Sequence, residues 1–593
     1  MTYTKGKWRN VRLFSILGGI VALTLFILAC GDDATPTPGA GPGGATATPT
    51  VTATPATREL VAARLVVSMP APAGQITAHY QSFQSAGGPL HAMYDYLVGL
   101  DPVTSEESPG FGLATEWSVD AAGRNWTFKL REGVPYYLDG KASSKYSEFT
   151  AKDVRHTWEI MAGKKNDSEQ AGDWDVIVNG AEDWEIVNDH EFILHHKVIE
   201  LEIPFRLSEE WTFGITSLDY WNDLGGDEEA FEAKPIGTGS FTFVEAVVNQ
   251  HFLFEKVEDH WRKTSEFEEV QFLWTKEAAT RVAQLIAGEV AIADLPRVLQ
   301  EQILSAGMVI AKSTVPSFHM WIRVPFYQEF TFDGRKTPNW DPNEPLRDNR
   351  VRLAMQEAID RNTINETFFK GAGIPEPVTY FPPWREDFKD EWAPFPGPDG
   401  ETGAAGGWPY AFDPDHARQL LADAGFPDGF DLVFMASINS GGVPELPDVG
   451  EAIAVMWENI GINVEFQALD NAEIRARQND HAWSGSVNLT RYSLDPISLA
   501  VSFGWFEHPA RGFFEQQFIT DWKNKMDTTI DADERLRLAQ ELGDFWRDQN
   551  VSIPLLWLFA EAGVNPNIVA EYRSNHLHFG PVRYHEYTKA VFK

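Results

Sequence analysis

The amino-acid sequence predicts a mixed α/β fold, because helical and strand-like patterns alternate along its 593 residues. Residues 462–468 place an apolar side chain at every second position, which is typical of a strand with one buried face. Residues 280–287 have a helical pattern that Gly288 ends, and a second alternating stretch follows. No repeat of fixed period is present. We therefore expect helices and strands to be interleaved throughout the folded part of the chain.

The first 30 residues have the pattern of an export signal. Four cations and no acid precede an almost continuous apolar run over residues 13–29, and Cys30 follows the small residue Ala29. A cysteine at this place resembles the lipobox of bacterial lipoproteins, in which the thiol is acylated and becomes the new N-terminus. We therefore expect residues 1–30 to be a lipoprotein signal peptide, with the protein anchored outside the cytoplasm through Cys30. The alternative is an uncleaved transmembrane helix, for which about 20 apolar residues are usual.

The next segment, residues 31–58, is rich in Pro, Thr, Gly and Ala and has almost no large apolar side chain. Such a segment cannot bury enough surface to offset the entropy lost on ordering, so we expect a disordered tether. The globular body then begins near residue 59 and is long enough for two or three domains.

Composition excludes several functions. The formal net charge is −37, whereas nucleic-acid binding needs a basic surface. Cys30 is the only cysteine, which rules out disulfides and cysteine metal sites. No later apolar run reaches membrane length. Aromatic residues reach 13% of the chain, more than a core usually demands, and an aromatic wall suits an extended or amphipathic solute.

Several helix starts are marked by side chains that can accept hydrogen bonds from the first backbone N–H groups. Thr150, with Asp153 three residues later, has the spacing of a capping box. Asp413 precedes Pro414, which is placed at the first helical position. The remaining signals are helix starts at Asp348 and Asp531 and a helix over 453–460 that Gly461 ends. The helix from Asp348 is predicted to bury an apolar stripe that extends to Ala358 and Ile359.

Residues 112–134 contain Leu-Ala-x-x-Trp, a short turn and Thr-x-Phe-x-Leu-Arg-x-Gly-Val. This segment resembles the one that marks the family 5 extracellular solute-binding proteins of bacterial ABC importers, which bind oligopeptides, dipeptides and nickel. The resemblance extends from about residue 100 to 585, with further matching segments in the expected order. These segments are 150–154, 235–243, 281–296, 347–361, 412–430 and 458–466.

The resemblance implies a two-lobed clamshell of the periplasmic-binding-protein type, with an extra subdomain in lobe I. Lobe I would comprise residues 59–316, lobe II residues 317–561, and residues 562–593 would return to lobe I. The chain would cross between the lobes near 316–321 and 561–565. Ligand would bind between the lobes, which close around it. Relative to the shortest members, residues 385–411 are a Gly/Pro-rich insertion expected to form a surface loop near the cleft.

Ten residues are candidates for holding the ligand, and the stronger alternative for each one taken alone is a structural role in the core or at the rim. Aromatic side chains supply contact area at low entropic cost, and charged ones fix orientation. The candidates are Tyr80, Tyr94, Trp321, Arg323, Trp384, Trp483, Arg491, Tyr492, Asp495 and Trp505.

The run from Arg491 to Pro496 resembles a family segment of the form Asp-Tyr-x-(Asp/Glu)-Pro. In oligopeptide binders the first Asp pairs with the free α-amine of the peptide. Here Arg491 stands at that place and one residue is added before Asp495. A guanidinium suits a carboxylate or phosphate on the solute. One alternative is that Asp495 binds the α-amine of a peptide instead. The other is that Arg491 pairs with a neighbouring acid of this chain.

A metal site is considered because nickel binders share the fold. His195 and His196 fall in a strand-like segment and would point to opposite faces. His576, His578 and His585 lie near the C-terminus, and no His-x-x-x-His with a nearby acid is present. We expect no metal and no cofactor.

The predicted function is a non-catalytic, monomeric binding component that delivers a peptide-like or other small organic solute to ABC permease and ATPase subunits. The first alternative is a lipid-anchored secreted hydrolase. We find no Gly-x-Ser-x-Gly, His-Glu-x-x-His or Ser-x-x-Lys motif in a context that suits a hydrolase. Residues 237–240 are interpreted as a turn, not as a site for a nucleophilic serine. The second alternative is a tethered sensor or chaperone with the same clamshell.

Overall fold

The computed structural model describes most of the chain after residue 58. The predicted signal, Cys30 and the predicted tether lie outside the described residues, as does most of the predicted loop 385–411. Among the described residues, no helix is both long enough and apolar enough to cross a membrane. The described residues are 59–71, 87–104, 106–165, 183–197, 199–208, 213–330, 334–392, 412–438, 442–492, 513–572 and 584–593.

The chain divides into two compact units. The described residues of the smaller unit are Glu59, Phe592 and Lys593, and in it Lys593 Nζ donates a hydrogen bond to Glu59 Oε1 at 2.5 Å. The larger, Leu60–Val591, contains every helix and strand given below.

The strands alternate with helices along the chain, as predicted. In the described part of the chain they are β1 Arg64–Met69, β2 Gly99–Leu100, β3 Glu107–Ser108, β4 Ala114–Val119, β5 Asn125–Leu130, β6 Tyr137–Leu138, β7 Lys141–Ala142, β8 Trp184–Asn188, β9 Glu191–His195, β10 Phe241–Val247, β11 His251–Lys256, β12 Glu269–Trp274, β13 Ile292–Ala293, β14 Val309–Arg323, β15 Ile374–Pro375, β16 Asp431–Ser437, β17 Asn463–Leu469, β18 Ser486–Tyr492, β19 Ser552–Val564, β20 Val569–Glu571 and β21 Lys589–Ala590.

The helices of the described residues range from one turn to five. They are α1 Gly87–Leu90, α2 Ala151–Met161, α3 Ile203–Arg206, α4 Leu218–Asp223, α5 Glu228–Ala233, α6 Ala278–Ala287, α7 Gln300–Ser305, α8 Asn349–Glu357, α9 Arg361–Phe369, α10 Pro414–Asp423, α11 Leu446–Glu458, α12 Asn471–Asn479, α13 Gln517–Met526 and α14 Ala532–Gln549.

The predicted helix starts are confirmed. The Thr150 hydroxyl accepts from Lys152 N at 3.3 Å, and Asp153 Oδ2 accepts from Thr150 N at 2.8 Å. The side chains of Asp348, Asp413 and Asp531 each accept a hydrogen bond at the start of α8, α10 and α14. These caps satisfy backbone donors that the first turn of a helix leaves without partners.

One continuous sheet runs through the protein in the order β10-β11-β12-β1-β13-β19-β14-β18-β16-β17, with β15 on β19. Its long strands, β14 and β19, hold 15 and 13 residues and pair antiparallel. At one end, Val564 pairs with Ile292 of β13. At the other, Arg323 pairs with Asn488 of β18. These two strands therefore connect the two lobes, and their register shifts at Pro316, which has no N–H to donate.

The first lobe has its own core and an additional subdomain. Leu285, Leu295 and Ile303 pack around β13 and are at most 4% exposed. The subdomain is a four-stranded sheet in the order β4-β5-β9-β8 with α2 against it. Rings from both elements, including Trp158 and Phe192, form its core.

The second lobe has a core on each face of its sheet, because successive side chains of β14 point to opposite faces. Phe318, Met320 and Ile322 join the core formed with α8 and α11. Trp321 joins a second core, rich in aromatic rings, that includes Trp546 of α14.

Candidate ligand-binding site

The second lobe presents the carboxyl ends of three parallel strands at one edge. β16, β17 and β18 are parallel and end at Ser437, Leu469 and Tyr492. Tyr492 pairs with His319, four residues before the end of β14, whereas Asn488 pairs with Arg323 at its end. The carboxyl edge therefore points toward the first lobe. Ligands of open α/β sheets bind outside this edge, so it is the candidate site.

Three of the predicted residues surround the guanidinium of a fourth, Arg323. Arg323 is 3% exposed, and its Cζ lies 5.5 Å from the ring of Trp321, 5.7 Å from Trp483 and 5.0 Å from Tyr492. Its Nη1 donates to Gln478 Oε1 at 3.3 Å. These distances are within the range of cation–π attraction, which stabilises a charge that burial would otherwise penalise.

A second group of rings continues this arrangement toward the carboxyl edge. The ring of His319 stacks between those of Trp557 and Trp321, at 4.7 and 6.0 Å. Tyr380 meets it edge-on at 4.5 Å, and Trp384 meets Trp557 at 5.4 Å. The combined group, here called the aromatic cluster, comprises His319, Trp321, Arg323, Tyr380, Trp384, Trp483, Tyr492 and Trp557.

The aromatic cluster encloses a buried carboxyl group. His319 Nδ1 lies 2.8 Å from Glu376 Oε1, which also accepts from Tyr380 N at 3.0 Å. Burial raises the pKa of Glu376 well above its usual range, against the smaller lowering effect of the Tyr380 N–H. Glu376 Oε2, Trp321 Nε1 and Trp557 Nε1 have no hydrogen-bond partner among the described residues. Buried polar atoms normally have partners, so these three atoms are candidates for contacts with polar groups of a solute.

Sequence reasoning missed Glu376, Tyr380 and Trp557. For His319 a signal was present, because it stands two residues before Trp321 and four before Arg323. The period of two places all three side chains on one face of a strand. Trp557 is brought to His319 by the pairing of β14 with β19, which no local pattern predicts.

Arg491 lies on the other face of the sheet from the aromatic cluster. It pairs with Met320, and its Cζ lies 5.2 Å from the ring of Phe318. The charge of Arg491 also acts on Asp294 of the first lobe, whose pKa burial raises while Arg281, Arg297 and Arg491 lower it. An acid is thus within electrostatic reach of Arg491.

Tyr94 lies in the first lobe, apart from the aromatic cluster. Its buried ring packs against the turn at Gly237, where an added Cβ would lie 2.0 Å from Met93 O. This close approach explains the glycine of the predicted turn. Tyr80, Asp495 and Trp505, the other candidates, lie outside the described residues.

A buried ion pair joins the two lobes beside the long strands. Arg297, between β13 and α7, donates its N–H to Glu445 Oε1 at 2.7 Å, and its Nη1 lies 3.1 Å from Glu445 Oε2. The guanidinium also lies 3.2 Å from Glu561 Oε2 and donates to Phe559 O at 2.7 Å. Burial raises the pKa of Glu445, and the charge of Arg297 opposes that rise. No sequence motif marked either residue.

The histidines considered for a metal are dispersed. Among the described residues, no three His, Cys, Asp or Glu side chains are grouped closely enough to hold a metal ion. His195 Nε2 lies 2.9 Å from Glu185, and His585 is buried. His576 and His578 lie outside the described residues.

Comparison with known proteins gives the family. Residues 109–511 match the sequence profile of the bacterial extracellular solute-binding proteins, family 5 middle region. Heme-binding protein A of Haemophilus influenzae is 23% identical over 434 residues, which cover 70% of this chain and 72% of that protein. The dipeptide-binding protein of Escherichia coli is 23% identical over 414 residues, which cover 66% of this chain and 70% of that protein.

Solved structures show the same fold. The periplasmic binding protein DppA from Helicobacter pylori, in complex with the peptide STSA, has a TM-score of 0.70 and 19% identity, and the match covers 90% of this chain and 98% of that one. The dipeptide-binding protein from Pseudoalteromonas sp. SM9913, in complex with Met-Leu, has a TM-score of 0.69 and 19% identity. The match covers 89% of this chain and 100% of that one. Because the profile spans more than half of the sequence and the two-lobed fold agrees, this chain belongs to family 5 of the bacterial extracellular solute-binding proteins.

Proposed function

We propose that this protein captures a peptide-like or other small organic solute between its two lobes and delivers it to the permease of an ABC importer. The observation that carries the proposal is the aromatic cluster beside the carboxyl edge of the second lobe, in which Trp321 Nε1, Trp557 Nε1 and the enclosed Glu376 Oε2 have no hydrogen-bond partner among the described residues. Aromatic walls with a few polar groups are typical of small-molecule sites. Relatives named as dipeptide-binding and di/tripeptide-binding proteins support a peptide-like solute.

The proposed lobe limits are residues 59–316 with 562–593 for lobe I and 317–561 for lobe II. The long antiparallel strands β14 and β19 support this division, because they are the elements shared by both halves of the sheet. A hinge at these strands would let the lobes separate to admit the solute and close over it.

The proposed location is outside the cytoplasm, with a lipid anchor at Cys30. The family is one of extracellular proteins, and the run before Cys30 supports export. The protein would act without catalysis, since its role is to bind and release.

Trp384→Ala is the direct test of the site. Trp384 is partly exposed and meets Trp557 edge-on, so its loss should remove contact area while leaving the core in place. The solute is first identified by mass spectrometry of material that copurifies with the protein, and calorimetry then measures its Kd. We expect the Kd to rise at least about tenfold.

Trp117→Ala, in β4 of the subdomain, is the matched control and should leave the Kd unchanged. Equal Kd values for the wild type and the Trp384→Ala variant would remove the aromatic cluster from the binding site. Turnover of the bound solute would show instead that the protein is a hydrolase.

A further inference from the structure

The additional subdomain of the first lobe touches the second lobe at a place apart from the long strands β14 and β19. The segment 199–202, which follows β9, lies against the turn 527–531, which joins α13 to α14. The N–H of Ile199 donates to the carbonyl oxygen of Asp527 at 3.2 Å. This hydrogen bond joins the backbone of the subdomain directly to the backbone of the second lobe.

Apolar side chains from both lobes meet beside this hydrogen bond. A Cβ built on Gly123, in the turn between β4 and β5, would lie 3.0 Å from Ile199 Cγ2 and 3.5 Å from Leu201 Cδ2. The same Cβ would lie 3.5 Å from Ile530 Cγ1 of the second lobe. The side chain of Ile530 therefore packs beside apolar groups of the subdomain. It is still 38% exposed, so a substitution there does not disturb a core.

A charged pair completes the contact. Arg535 Nη2, in α14, lies 3.7 Å from Glu202 Oε1 of the subdomain. The Nη1 of the same guanidinium donates to Met526 O at 3.1 Å and to Thr529 O at 3.2 Å, which fixes the shape of the turn before α14. Ion pairs at partly exposed sites contribute little by themselves. The apolar contact and the backbone hydrogen bond therefore supply most of the attraction.

The segment 199–202 is held firmly to the sheet of the subdomain. Trp126 Nε1, in β5, donates to Glu200 O at 2.6 Å, and the N–H of Glu200 donates to Gly123 O at 3.0 Å. The buried Arg206 lies 3.1 Å from Glu200 Oε2. Because these contacts make the segment move with the subdomain, its contact with the second lobe must break when the lobes separate.

The contact lies on the face of the second lobe that carries the aromatic cluster. Trp522 of α13 and Leu538 of α14 belong to the same core as Trp321. The ion pair of Arg297 and Glu445 lies on the opposite face, at the start of α11. The two lobes are therefore joined on both faces of this sheet.

We propose that the subdomain is a latch, which holds the second lobe in the closed arrangement and slows the release of a bound solute. Contacts that exist only in the closed arrangement favour that arrangement. A lobe that opens must break the hydrogen bond between Ile199 and Asp527 and expose more of the side chain of Ile530. This role rests on the capture of solute between two lobes, proposed above, and it uses no residue of the aromatic cluster.

Hydrogen exchange and small-angle X-ray scattering of the full chain as purified, with no solute added, test the latch. Ile530→Asp places a carboxylate in the apolar contact. We expect amide exchange in the segment 199–202 to become at least about fivefold faster, although the substitution is in the other lobe. We also expect a larger radius of gyration, because the lobes separate more often. Ile530→Ser, which removes apolar surface without adding charge, should change both quantities in the same direction.

The matched control is Val455→Asp, which places a carboxylate at another exposed apolar side chain, on α11 of the same lobe. It should leave the exchange of 199–202 and the radius of gyration unchanged. Unchanged exchange in both Ile530 variants would show that the contact is absent in solution, and faster exchange with an unchanged radius of gyration would show that it does not hold the lobes together. Either result overturns the proposal. Because no solute is added, neither result depends on the aromatic cluster, which Trp384→Ala tests separately.

Discussion

Glu445→Gln is expected to weaken solute binding by opening the contact between the lobes. In the structure, Glu445 Oε1 accepts from Arg297 N at 2.7 Å, and Oε2 lies 3.1 Å from Arg297 Nη1. Glutamine keeps the size of the side chain and one acceptor oxygen. It removes the negative charge that stabilises a guanidinium only 4% exposed.

The expected magnitude follows from the contacts that remain. Arg297 keeps Glu561 at 3.2 Å and Phe559 O at 2.7 Å, so its charge is not left alone. Hydrogen bonds to charged groups contribute about 1.5–3 kcal/mol, and we expect the loss of one such contact, about 2 kcal/mol. A loss of about 2 kcal/mol lowers the ratio of closed to open protein by roughly 30-fold. Where the closed form becomes the minor one, the apparent Kd rises by the same factor.

The assay is calorimetric titration of the copurified solute into wild-type and variant protein. The control is Asp387→Asn, which breaks the 2.7 Å contact of Asp387 with Arg385 inside the second lobe. The control should lower the melting temperature without changing the Kd. A Glu445→Gln protein that binds as tightly as the wild type would refute the reasoning, because the ion pair would then not favour the closed arrangement.

Three further outcomes are expected. Because the folded-state pKa of Glu376 is raised above its ordinary value of 4.5, the folded protein holds this proton more tightly than the unfolded chain and loses stability as pH rises above about 4.5. Glu376→Gln should reduce that loss in denaturant titrations across pH, and an unchanged pH profile would refute it. Arg491→Ala should leave the Kd of the solute nearly unchanged and lower the melting temperature, since Arg491 lies on the opposite face of the sheet from the aromatic cluster and its charge acts on the buried Asp294; a Kd at least about tenfold higher would place Arg491 in the binding site. Cys30→Ser should move the protein from the membrane fraction to the soluble one, and retention in the membrane would favour a spanning helix.

Local structure was largely predictable from the sequence. The capping box of Thr150 and Asp153 and the Asp413-Pro414 start act within one turn, so neighbouring residues determine them. The helix after Asp348 ends at Glu357, before the predicted Ala358 and Ile359, yet both of these are buried. The sequence therefore predicts which apolar residues are buried more reliably than it predicts the residue at which the helix ends.

The site was only partly predictable, because it depends on contacts between distant segments. Trp321, Arg323, Trp483 and Tyr492 were chosen for their chemistry, and the structure brings them together. Arg491 is adjacent to Tyr492 in sequence but points to the opposite face, since strand side chains alternate.

The residues that complete the aromatic cluster come from other parts of the second lobe. Glu376 and Trp557 reach His319 from two distant segments. Their assembly depends on the register of β14 with β19 and of β15 with β19. No composition or spacing in the chain encodes that register locally.

Small-angle X-ray scattering with the copurified solute tests the central claim most directly. The protein stripped of solute and the protein saturated with it are compared at the same concentration, with binding confirmed by calorimetry on the same samples. Solute capture between two lobes predicts a smaller radius of gyration in the saturated protein, together with a higher melting temperature through mass action. A saturated protein with an unchanged radius of gyration would contradict closure of the lobes around the solute.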